Sequence, residues 1–300
     1  MKNCLFVFNP ISGSNGFERD EIVEMLEVKL PNFTPFLVET TGEKDDELVL
    51  REFQKHQPEL VIIGGGDGTV KMVAKSLKEQ DVPLAIIPMG SANGLAKCMG
   101  IDMIADGWEA VRDFKVHNID AIHINGELCL HLADFGMNAN LIKKFEEDDS
   151  RGMFGYFKNS LSEIFTSESK KFKLKLDNET IDITAKMIVI ANGDKYGTGA
   201  IINCKGIMDD GKFEVISLNP ESAEDYVKVT VAFMKGDLDE LEAIYSWSVS
   251  SCHITNLEGA KFQIDGEMMN TPETVTATIE KHAFKFVTGK SFKPCQISSD

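Results

Sequence analysis

The first part of the chain alternates short apolar runs with stretches of helical periodicity. Within residues 17–30, for example, Ile22, Met25 and Leu26 have the i, i+3, i+4 spacing of an amphipathic helix. The pattern predicts strands at residues 3–8, 33–39, 60–63 and 83–87, and helices at 17–30, 44–56 and 70–80. Buried strands that alternate with helices predict a parallel sheet with right-handed crossovers, as in a Rossmann-like α/β domain.

The pattern changes near residue 116, where short strand-like runs follow one another with turn residues between them. Asn125-Gly126 is a type I′ hairpin signal, and residues 177–179 give a second hairpin signal. Many short strands joined by such turns predict an antiparallel β-sandwich. We therefore divide the chain into an α/β domain at residues 1–118 and a β-sandwich domain at residues 119–288.

One helix-like stretch interrupts the predicted sandwich. Six apolar side chains share one face of this stretch: Met153, Phe154, Phe157, Leu161, Ile164 and Phe165. Such a face either packs into the core or lines an apolar cleft for a substrate.

A glycine-rich turn, residues 64–69 (GGGDGT), joins the predicted strand at 60–63 to the helix that follows. Glycine lets a backbone approach an anion closely and adopt positive φ, and a helix N-terminus directs N–H groups at that anion. A carboxylate such as Asp67 repels phosphate, so its position indicates a bound Mg²⁺ or a hydroxyl group held against a phosphate. The alternative is a plain strand–helix turn, which seldom needs four glycines around one carboxylate.

Two further polar turns follow predicted strands. Residues 88–97 (PMGSANGLAK) combine glycine and a small hydroxyl side chain with a helix start, and residues 9–16 (NPISGSNG) follow the first strand. All three turns come at the C-terminal ends of strands, which is where open parallel sheets bind their ligands. Together they predict a phosphate-containing ligand. The sequence contains no Walker A motif (GxxxxGK[ST]), which argues against a P-loop kinase.

The composition limits the classes of binding partner and the cellular compartment that are expected for this protein. A net charge of −17 argues against nucleic acid as a partner. The sequence has no secretory segment, no apolar run near the ~20 residues of a spanning helix, and no CxxC pair among its six cysteines. These features predict a cytoplasmic protein with reduced thiols.

One basic segment departs from the acidic composition. Lysines alternate with apolar residues over 170–175 (KKFKLK), so a strand there has one basic and one apolar face. Two interpretations stay open: an edge strand protected by its lysines, or a docking patch for anionic lipid.

The three turns together resemble those of the diacylglycerol kinase-like lipid kinases, which include bacterial soluble lipid kinases and the sphingosine and ceramide kinases. The resemblance rests on NP and SG at 9–10 and 12–13, GGGDGT at 64–69 and GSAN at 90–93. It continues with Asp120, residues 133–137 (ADFGM), 191–193 (ANG), Gly197 and Gly199, 209–211 (DDG) and 265–267 (DGE). The family's fold agrees with the predicted domains, with the active site between them. It also implies that residues 289–300 return to the first domain.

The resemblance implies roles for the matching residues of the first domain. Asn9, Ser12 and Gly13 are expected along the nucleotide. The triphosphate of ATP and its Mg²⁺ are expected at the glycine-rich turn, on Gly65, Gly66, Asp67, Gly68 and Thr69. Ser91 and Asn93 are expected to line the region of phosphate transfer.

The second domain supplies the remaining roles that the resemblance implies. Glu267 corresponds to the general base that takes the proton of the acceptor hydroxyl, oriented with Asp120 and Ser91. Asp209 and Asp210 match a place where some bacterial members hold a second, structural Mg²⁺.

The acceptor in this family is a lipid alcohol, and its identity stays open. Many diacylglycerol kinases have Asp directly after the Asn of the second turn, where this chain has Gly94. Sphingosine kinase-like members have a small residue there and a Ser two positions before the Asn, as Ser91 is here. Diacylglycerol, a long-chain base and other lipid alcohols are therefore candidates. A lipid acceptor implies a location peripheral to a membrane, with transient contact. No regulatory domain precedes the first strand, as expected of a bacterial member, and a homodimer stays open.

Two other classes of protein share part of this pattern. NAD kinases and phosphofructokinases have a GGDG-type loop, but the Asn-Glu pair expected shortly after that loop in NAD kinase is missing. A lipid-binding protein without catalysis is expected to lack the acidic residues, yet Asp67, Asp120 and Glu267 are all present. A lipid kinase remains the first interpretation.

Overall fold

The computed structural model of the chain describes residues 2–10, 19–136, 167–177, 179–196, 200–238 and 241–296. The helix-like stretch between Met153 and Phe165 lies outside the described residues. The chain divides into two compact units. Unit 1 comprises Met1–Ile119 and His282–Pro294, and unit 2 comprises Asp120–Lys281 and Cys295–Asp300. Helices and strands are numbered below along the described residues.

Unit 1 is an α/β domain, as predicted, with a parallel sheet in the spatial order β2-β1-β3-β4. The strands are β1 (Lys2–Phe8), β2 (Phe33–Glu39), β3 (Leu60–Gly65) and β4 (Leu84–Pro88). The helices are α1 (Arg19–Lys29), α2 (Asp45–His56), α3 (Asp67–Ser76), α4 (Gly94–Cys98) and α5 (Ile104–Asp113). Every residue of β3 and β4 is buried, which is why these strands read as continuous apolar runs.

The strand order creates a topological switch point between β1 and β3. The chain passes from β1 to β2 on one side and later enters β3 on the other. Open α/β sheets bind ligands beyond the carboxyl ends of the strands at such a point. The N–H of Asn9 donates to the carbonyl of Gly64 at 3.1 Å, and the N–H of Met89 donates to the carbonyl of Gly65 at 3.1 Å. The three polar turns of the sequence therefore begin side by side.

The last strand, β18 (Thr274–Val287), belongs to unit 2 in its first part and to unit 1 in its last part. The first part pairs antiparallel with β15 (Ser251–Asn256), whereas Phe286 pairs parallel with Leu84 of β4. Burial of Phe284 and Phe286 holds this end in unit 1. The segment assigned to unit 1 is His282–Pro294, whereas the resemblance implied residues 289–300; Cys295–Asp300 are assigned to unit 2.

Unit 2 is a β-sandwich, as predicted. One sheet is antiparallel, in the order β14-β13-β10-β7-β16-β17. Its strands are β7 (Leu132–Phe135), β10 (Met187–Ala191), β13 (Phe213–Leu218), β14 (Ile244–Val249), β16 (Phe262–Ile264) and β17 (Glu267–Met269). The facing strands are β5 (Val116–Ile124), β6 (Glu127–Cys129), β8 (Lys170–Leu176), β9 (Glu179–Ala185), β15 and the first part of β18. Alternate residues of both sheets, such as Phe135 and Phe172, fill the core between them. A short pair, β11 (Lys195–Tyr196) and β12 (Ala200–Ile201), lies apart.

Helix α6 (Ala223–Lys235) covers the outer face of the β14–β17 sheet, and the apolar pattern did not predict it. Val229 and Phe233 of α6 belong to a second apolar cluster with residues of β10 and β13. Three apolar residues are exposed on the solvent side of the helix, so its sequence lacks a clear amphipathic pattern: Val227, Val231 and Met234. A capping box was the usable signal, because the N–H of Asp225 donates to Ser222 Oγ at 3.1 Å and the N–H of Ser222 to the Asp225 carboxylate at 3.0 Å.

Strand β8 is not an edge strand, which makes one of the two interpretations of its lysines wrong. It pairs antiparallel with β15 on one side and with β9 on the other. Lys171, Lys173 and Lys175 are exposed, whereas Phe172 and Leu174 are buried in the sandwich core. We call these three lysines the lysine face; they project from the outer side of a strand that is already paired.

Candidate functional site

The glycine-rich turn of unit 1 needs glycine for close packing rather than for positive φ. The glycines at 64, 65, 66 and 68 have no positive φ, contrary to expectation, and φ of Gly66 is −92°. A Cβ on Gly65 would lie 2.6 Å from Cβ of Thr69. A Cβ on Gly90 would lie 2.4 Å from the Cα of Gly66. The two turns therefore pack backbone against backbone.

Helix α3 begins at Asp67, three residues before the predicted start at Val70. The N–H of Val70 donates to the carbonyl of Gly66 at 3.1 Å, so the first N–H groups of the helix lie within the GGGDGT run. These groups have no acceptor within the helix, and the positive end of the helix dipole lies there. Nothing lies within 4 Å of a Cβ built on Gly68, which leaves space for a ligand. This arrangement suits a phosphate group.

The side chain of Asp67 holds the Ser91 turn, residues 88–97, in place. Its carboxylate accepts the N–H of Gly94 at 2.9 Å and the N–H of Leu95 at 3.0 Å. These two N–H groups open helix α4, so Asp67 satisfies donors that the helix itself leaves unpaired. Sequence reasoning missed this role because the capping carboxylate lies 27 residues before Gly94 in the chain.

Asn93 closes the second turn on itself and exposes Ser91. The Oδ1 of Asn93 accepts the N–H of Gly90 at 2.9 Å, and its Nδ2 donates to the carbonyl of Gly90 at 2.6 Å. Asn93 also takes a left-handed φ of 54°. The structure thus brings Asn9, the glycine-rich turn, Ser91 and Asn93 to one edge of unit 1. Ser12 and Gly13 lie outside the described residues.

In unit 2, Asp265 and Gly266 form the turn of the β16–β17 hairpin, and Glu267 follows directly. The two turn residues have φ of 50° and 86°, as a type I′ turn requires. The Asp265 carboxylate accepts three backbone N–H groups at 3.0–3.2 Å, those of Leu130, His131 and Leu132. Glu267 pairs with Ile264 across the hairpin, and its side chain is exposed. Asp265 therefore anchors the turn that presents Glu267.

Asp120 is fully buried in unit 2. Its Oδ2 accepts the N–H of Gly211 at 2.6 Å, and its own N–H donates to the carbonyl of Met208 at 2.7 Å. Both partners flank the Asp209-Asp210 pair, so Asp120 and that loop are joined. Ser91 belongs to unit 1, and Asp120 and Glu267 belong to unit 2.

The Asp209-Asp210 pair makes one long-range contact and one local contact, both with backbone N–H groups. Asp209 Oδ1 accepts the N–H of Cys295 at 2.7 Å, and Asp210 Oδ1 accepts the N–H of Lys212 at 2.9 Å. In the described part of the chain, no three His, Cys, Asp or Glu side chains gather as a metal site. The second structural Mg²⁺ stays a prediction, and the described contacts offer it no third ligand of these types.

Glu214 is a buried carboxylate that the sequence analysis did not single out. Asn203 Nδ2 donates to its Oε2 at 2.5 Å. Burial raises the pKa of Glu214 above its ordinary range, against the opposing effect of that hydrogen bond. Burial also raises the pKa values of the Cys4 and Cys252 thiols to about 12, so neither is a thiolate nucleophile at neutral pH.

Two family models match the two parts of the chain. Residues 3–124 match the family described as "Diacylglycerol kinase catalytic domain". Residues 133–287 match the family described as "YegS C-terminal NAD kinase beta sandwich-like domain". The matched ranges follow the α/β domain and the β-sandwich that the sequence pattern predicted.

Individual relatives match over most of the chain. The "Diacylglycerol kinase" of Bacillus subtilis (strain 168) is 20% identical over 274 residues, which cover 89% of this chain and 90% of that protein. "Probable lipid kinase YegS" of Escherichia coli O127:H6 is 26% identical over 248 residues, covering 78% and 80%. Protein sll0036 of Synechocystis sp. is 26% identical over 290 residues, and the chain spans 65% of its length.

A solved structure shares the fold. The crystal structure of a diacylglycerol kinase from Bacillus anthracis str. Sterne matches with a TM-score of 0.72 at 19% identity. The match covers 97% of this chain and 98% of that one. It therefore includes both units.

Proposed function

Because the chain belongs to the diacylglycerol kinase-like lipid kinase family, we propose that it transfers the γ-phosphoryl group of ATP to a hydroxyl group of a lipid alcohol. One observation carries the proposal: the N-terminus of α3 and the Ser91 turn are packed together at the switch point of a parallel sheet. Phosphoryl transfer asks a protein mainly for positioning and for neutralisation of charge. A helix N-terminus beside an exposed hydroxyl supplies both.

Unit 1 binds the nucleotide in this proposal. The triphosphate lies at the first N–H groups of α3, where Gly65, Gly66 and Gly68 place no side chain in its way. Asn9 lies beside it, since its N–H is bonded to the end of β3. Ser91, exposed on the adjacent turn, lies toward the transferred group.

Asp67 fits a Mg²⁺ ligand through the lone pairs that its backbone contacts leave. Each carboxylate oxygen accepts one N–H bond, from Gly94 or Leu95, and retains a second acceptor position. Mg²⁺ is commonly held by one or two carboxylates together with substrate phosphates and water. Bound there, Mg²⁺ supplies neutralisation of the phosphate charge. Asp67 thus has two tasks, because the same carboxylate fixes the Ser91 turn.

Glu267 of unit 2 is the general base of the proposed reaction. It is exposed on a hairpin whose turn is anchored by three backbone hydrogen bonds to Asp265. A carboxylate held at the acceptor hydroxyl takes its proton as the phosphoryl group arrives, which typically contributes ~10²–10⁴-fold to the rate. Asp120 is the buried partner that orients the acceptor site in this proposal.

The lysine face is the proposed contact with a lipid surface. Its three lysines are exposed on a strand that is paired on both sides, so edge protection does not explain them. Two carboxylates lie beside the lysine face: Asp182 is 3.5 Å from Lys173, and Glu258 accepts the N–H of Lys171 at 3.0 Å. The three lysines therefore give only a small local excess of positive charge, on a chain of net charge −17. Each lysine near an anionic membrane contributes ~1 kcal/mol. No helix in the described part of the chain is long and apolar enough to cross a membrane.

The proposed function is tested with labelled ATP and Mg²⁺ in mixed micelles that contain diacylglycerol, a long-chain base or a total lipid extract. The name of the B. subtilis relative makes diacylglycerol the first acceptor to test. The label should enter the organic phase. Glu267→Gln should reduce turnover by about 100-fold or more while ATP affinity changes only a few-fold. Label that stays in water on NAD or a sugar would overturn the lipid acceptor and favour an NAD kinase-like activity.

A further inference from the structure

Asn192 is the centre of a buried polar network in unit 2. It follows directly on β10, and it is fully buried. Its Nδ2 donates to the carbonyl of Asp120 at 2.8 Å and to the carbonyl of Leu130 at 3.0 Å. Its own N–H donates to the carbonyl of His131 at 2.9 Å. One residue therefore joins the strand that carries Asp120 to the segment at 130–132.

The segment at 130–132 is joined in turn to the hairpin that carries Glu267. The Asp265 carboxylate accepts the three N–H groups of that segment, and the N–H of Asp265 donates to the carbonyl of Leu132 at 2.8 Å. Gln263 holds the turn from the other side, because its Oε1 accepts the N–H of Gly266 at 2.6 Å. A path of hydrogen bonds therefore runs from the carbonyl of Asp120 through Asn192 and the segment at 130–132 to Asp265, which lies two residues before Glu267.

We propose that Asn192 is a positioning residue that sets the placement of Asp120 relative to the hairpin turn carrying Glu267. The inference rests on the proposed function, in which Glu267 takes the proton of the acceptor hydroxyl and Asp120 orients the acceptor site. Asn192 acts through these two residues and has no contact with the reacting groups in this proposal.

The chemistry of the site requires an amide. Two backbone carbonyls, those of Asp120 and Leu130, need two N–H donors from one side chain at short reach, and the NH₂ group supplies them. The Oδ1 of Asn192 is buried with no hydrogen-bond partner among the described residues. An unsatisfied buried acceptor destabilises the folded state. An apolar side chain would remove this unpaired acceptor but would leave the carbonyls of Asp120 and Leu130 without their donors. The amide is therefore the group that joins these two segments.

Asn192→Asp tests the inference, and Asn256→Asp is the matched control. Asn256 is also buried, and its Nδ2 donates to two carbonyls, those of Ala260 at 2.9 Å and Pro272 at 3.0 Å. These residues flank the open end of the same hairpin, away from its turn. We expect Asn192→Asp to lower kcat by about 30-fold with KM for ATP unchanged within about 2-fold, and Asn256→Asp to change kcat by less than about 3-fold.

The pH dependence separates positioning from a general loss of stability. The introduced carboxyl can donate one O–H to a carbonyl only when it is protonated, and its ionised form repels both carbonyls. The ratio of kcat for Asn192→Asp to kcat for the parent should therefore rise as the pH falls from about 8.5 to about 6. The same ratio for Asn256→Asp should stay flat. Asn192→Ser, with one donor in a smaller side chain, gives a second variant with an intermediate loss.

Hydrogen exchange gives a measurement that does not depend on activity. The N–H of Gly211 is bonded to the Asp120 carboxylate, and those at 130–132 are bonded to Asp265. They should exchange faster in both Asn192 variants and at the parental rate in Asn256→Asp. Unchanged exchange, or parental kcat in both Asn192 variants while Glu267→Gln is inactive, would overturn the positioning role. Full activity of Glu267→Gln would instead overturn the proposed base, whatever the exchange shows.

Discussion

Asp67→Asn should destabilise unit 1 even when nucleotide and metal are absent. The carboxylate of Asp67 accepts the N–H groups of Gly94 and Leu95 across the two turns. An Asn side chain keeps one carbonyl acceptor and turns an NH₂ group toward the second backbone N–H. The substitution therefore removes one hydrogen bond and leaves one backbone donor unpaired.

The size of the effect follows from these contacts. A hydrogen bond to a charged group contributes about 1.5–3 kcal/mol, and loss of a helix N-cap lowers stability by about 0.5–2 kcal/mol. Asp67 is half-buried, so solvent weakens the charge contribution. We expect a loss of about 1–2 kcal/mol in the free energy of unfolding of unit 1. A carboxylate with a purely metal-binding task predicts the opposite sign, because the chain carries a net charge of −17 and would gain from losing a negative charge.

The two tryptophans of the sequence make the assay specific to each unit. Trp108 lies in unit 1, where it is 7% exposed and stacks on Phe6, and Trp247 lies in unit 2. In a Trp247→Phe background, the fluorescence of Trp108 reports the urea-induced unfolding of unit 1 alone. With a typical m value of about 2 kcal/mol/M, the midpoint should fall by about 0.5–1 M urea.

Asp106→Asn is the matched control for the assay. The Asp106 carboxylate accepts the N–H of Asp102 at 3.2 Å and that of Met103 at 3.0 Å at the start of α5, also in unit 1. This variant should lose stability by about 0.5–1 kcal/mol and keep its turnover, whereas Asp67→Asn should lose both. If Asp67→Asn leaves the nucleotide-free unit 1 as stable as the parent, the capping argument is refuted.

Three further results are expected. Gly90→Ala should lower the free energy of unfolding of unit 1 by about 1–3 kcal/mol, because the added Cβ would lie 2.4 Å from the Cα of Gly66. Gly68→Ala should leave the stability unchanged, because nothing lies within 4 Å of its added Cβ. Equal thermal midpoints for the two variants would contradict this prediction. Glu214→Gln should be more stable than the parent at about pH 8 and equal to it at about pH 4. Because the pKa of Glu214 is raised in the folded state, the parent has a stabilisation at low pH that it loses as the pH rises. A difference in melting temperature that does not depend on pH would count against this prediction. Replacing the three lysines of the lysine face with serine should weaken sedimentation with anionic vesicles, and the difference should shrink with added salt. Replacing the two exposed lysines of α6 with serine should leave sedimentation unchanged. Unchanged sedimentation of the lysine-face variant would refute the docking proposal.

The sequence by itself determined the fold class and the edge of unit 1 that carries the candidate site. Continuous apolar runs were sufficient to identify β3 and β4, because strands buried on both faces contain few polar residues. Asn125-Gly126 was sufficient to identify a hairpin, and both residues have positive φ, 51° and 89°. These features are local, since they depend on burial and on backbone torsion at neighbouring positions.

The tertiary structure alone decided which distant groups meet. Asp67 caps a helix 27 residues later, and Asn192 joins Asp120 and Leu130 from 72 and 62 residues away. Strand β8 pairs with a strand on each side, although its alternating lysines are typical of an edge strand. Local spacing does not encode such partners, because a hydrogen bond between remote segments depends on the path of the whole chain. A burial pattern shows that a side chain is inside, and only the folded chain shows what it meets there.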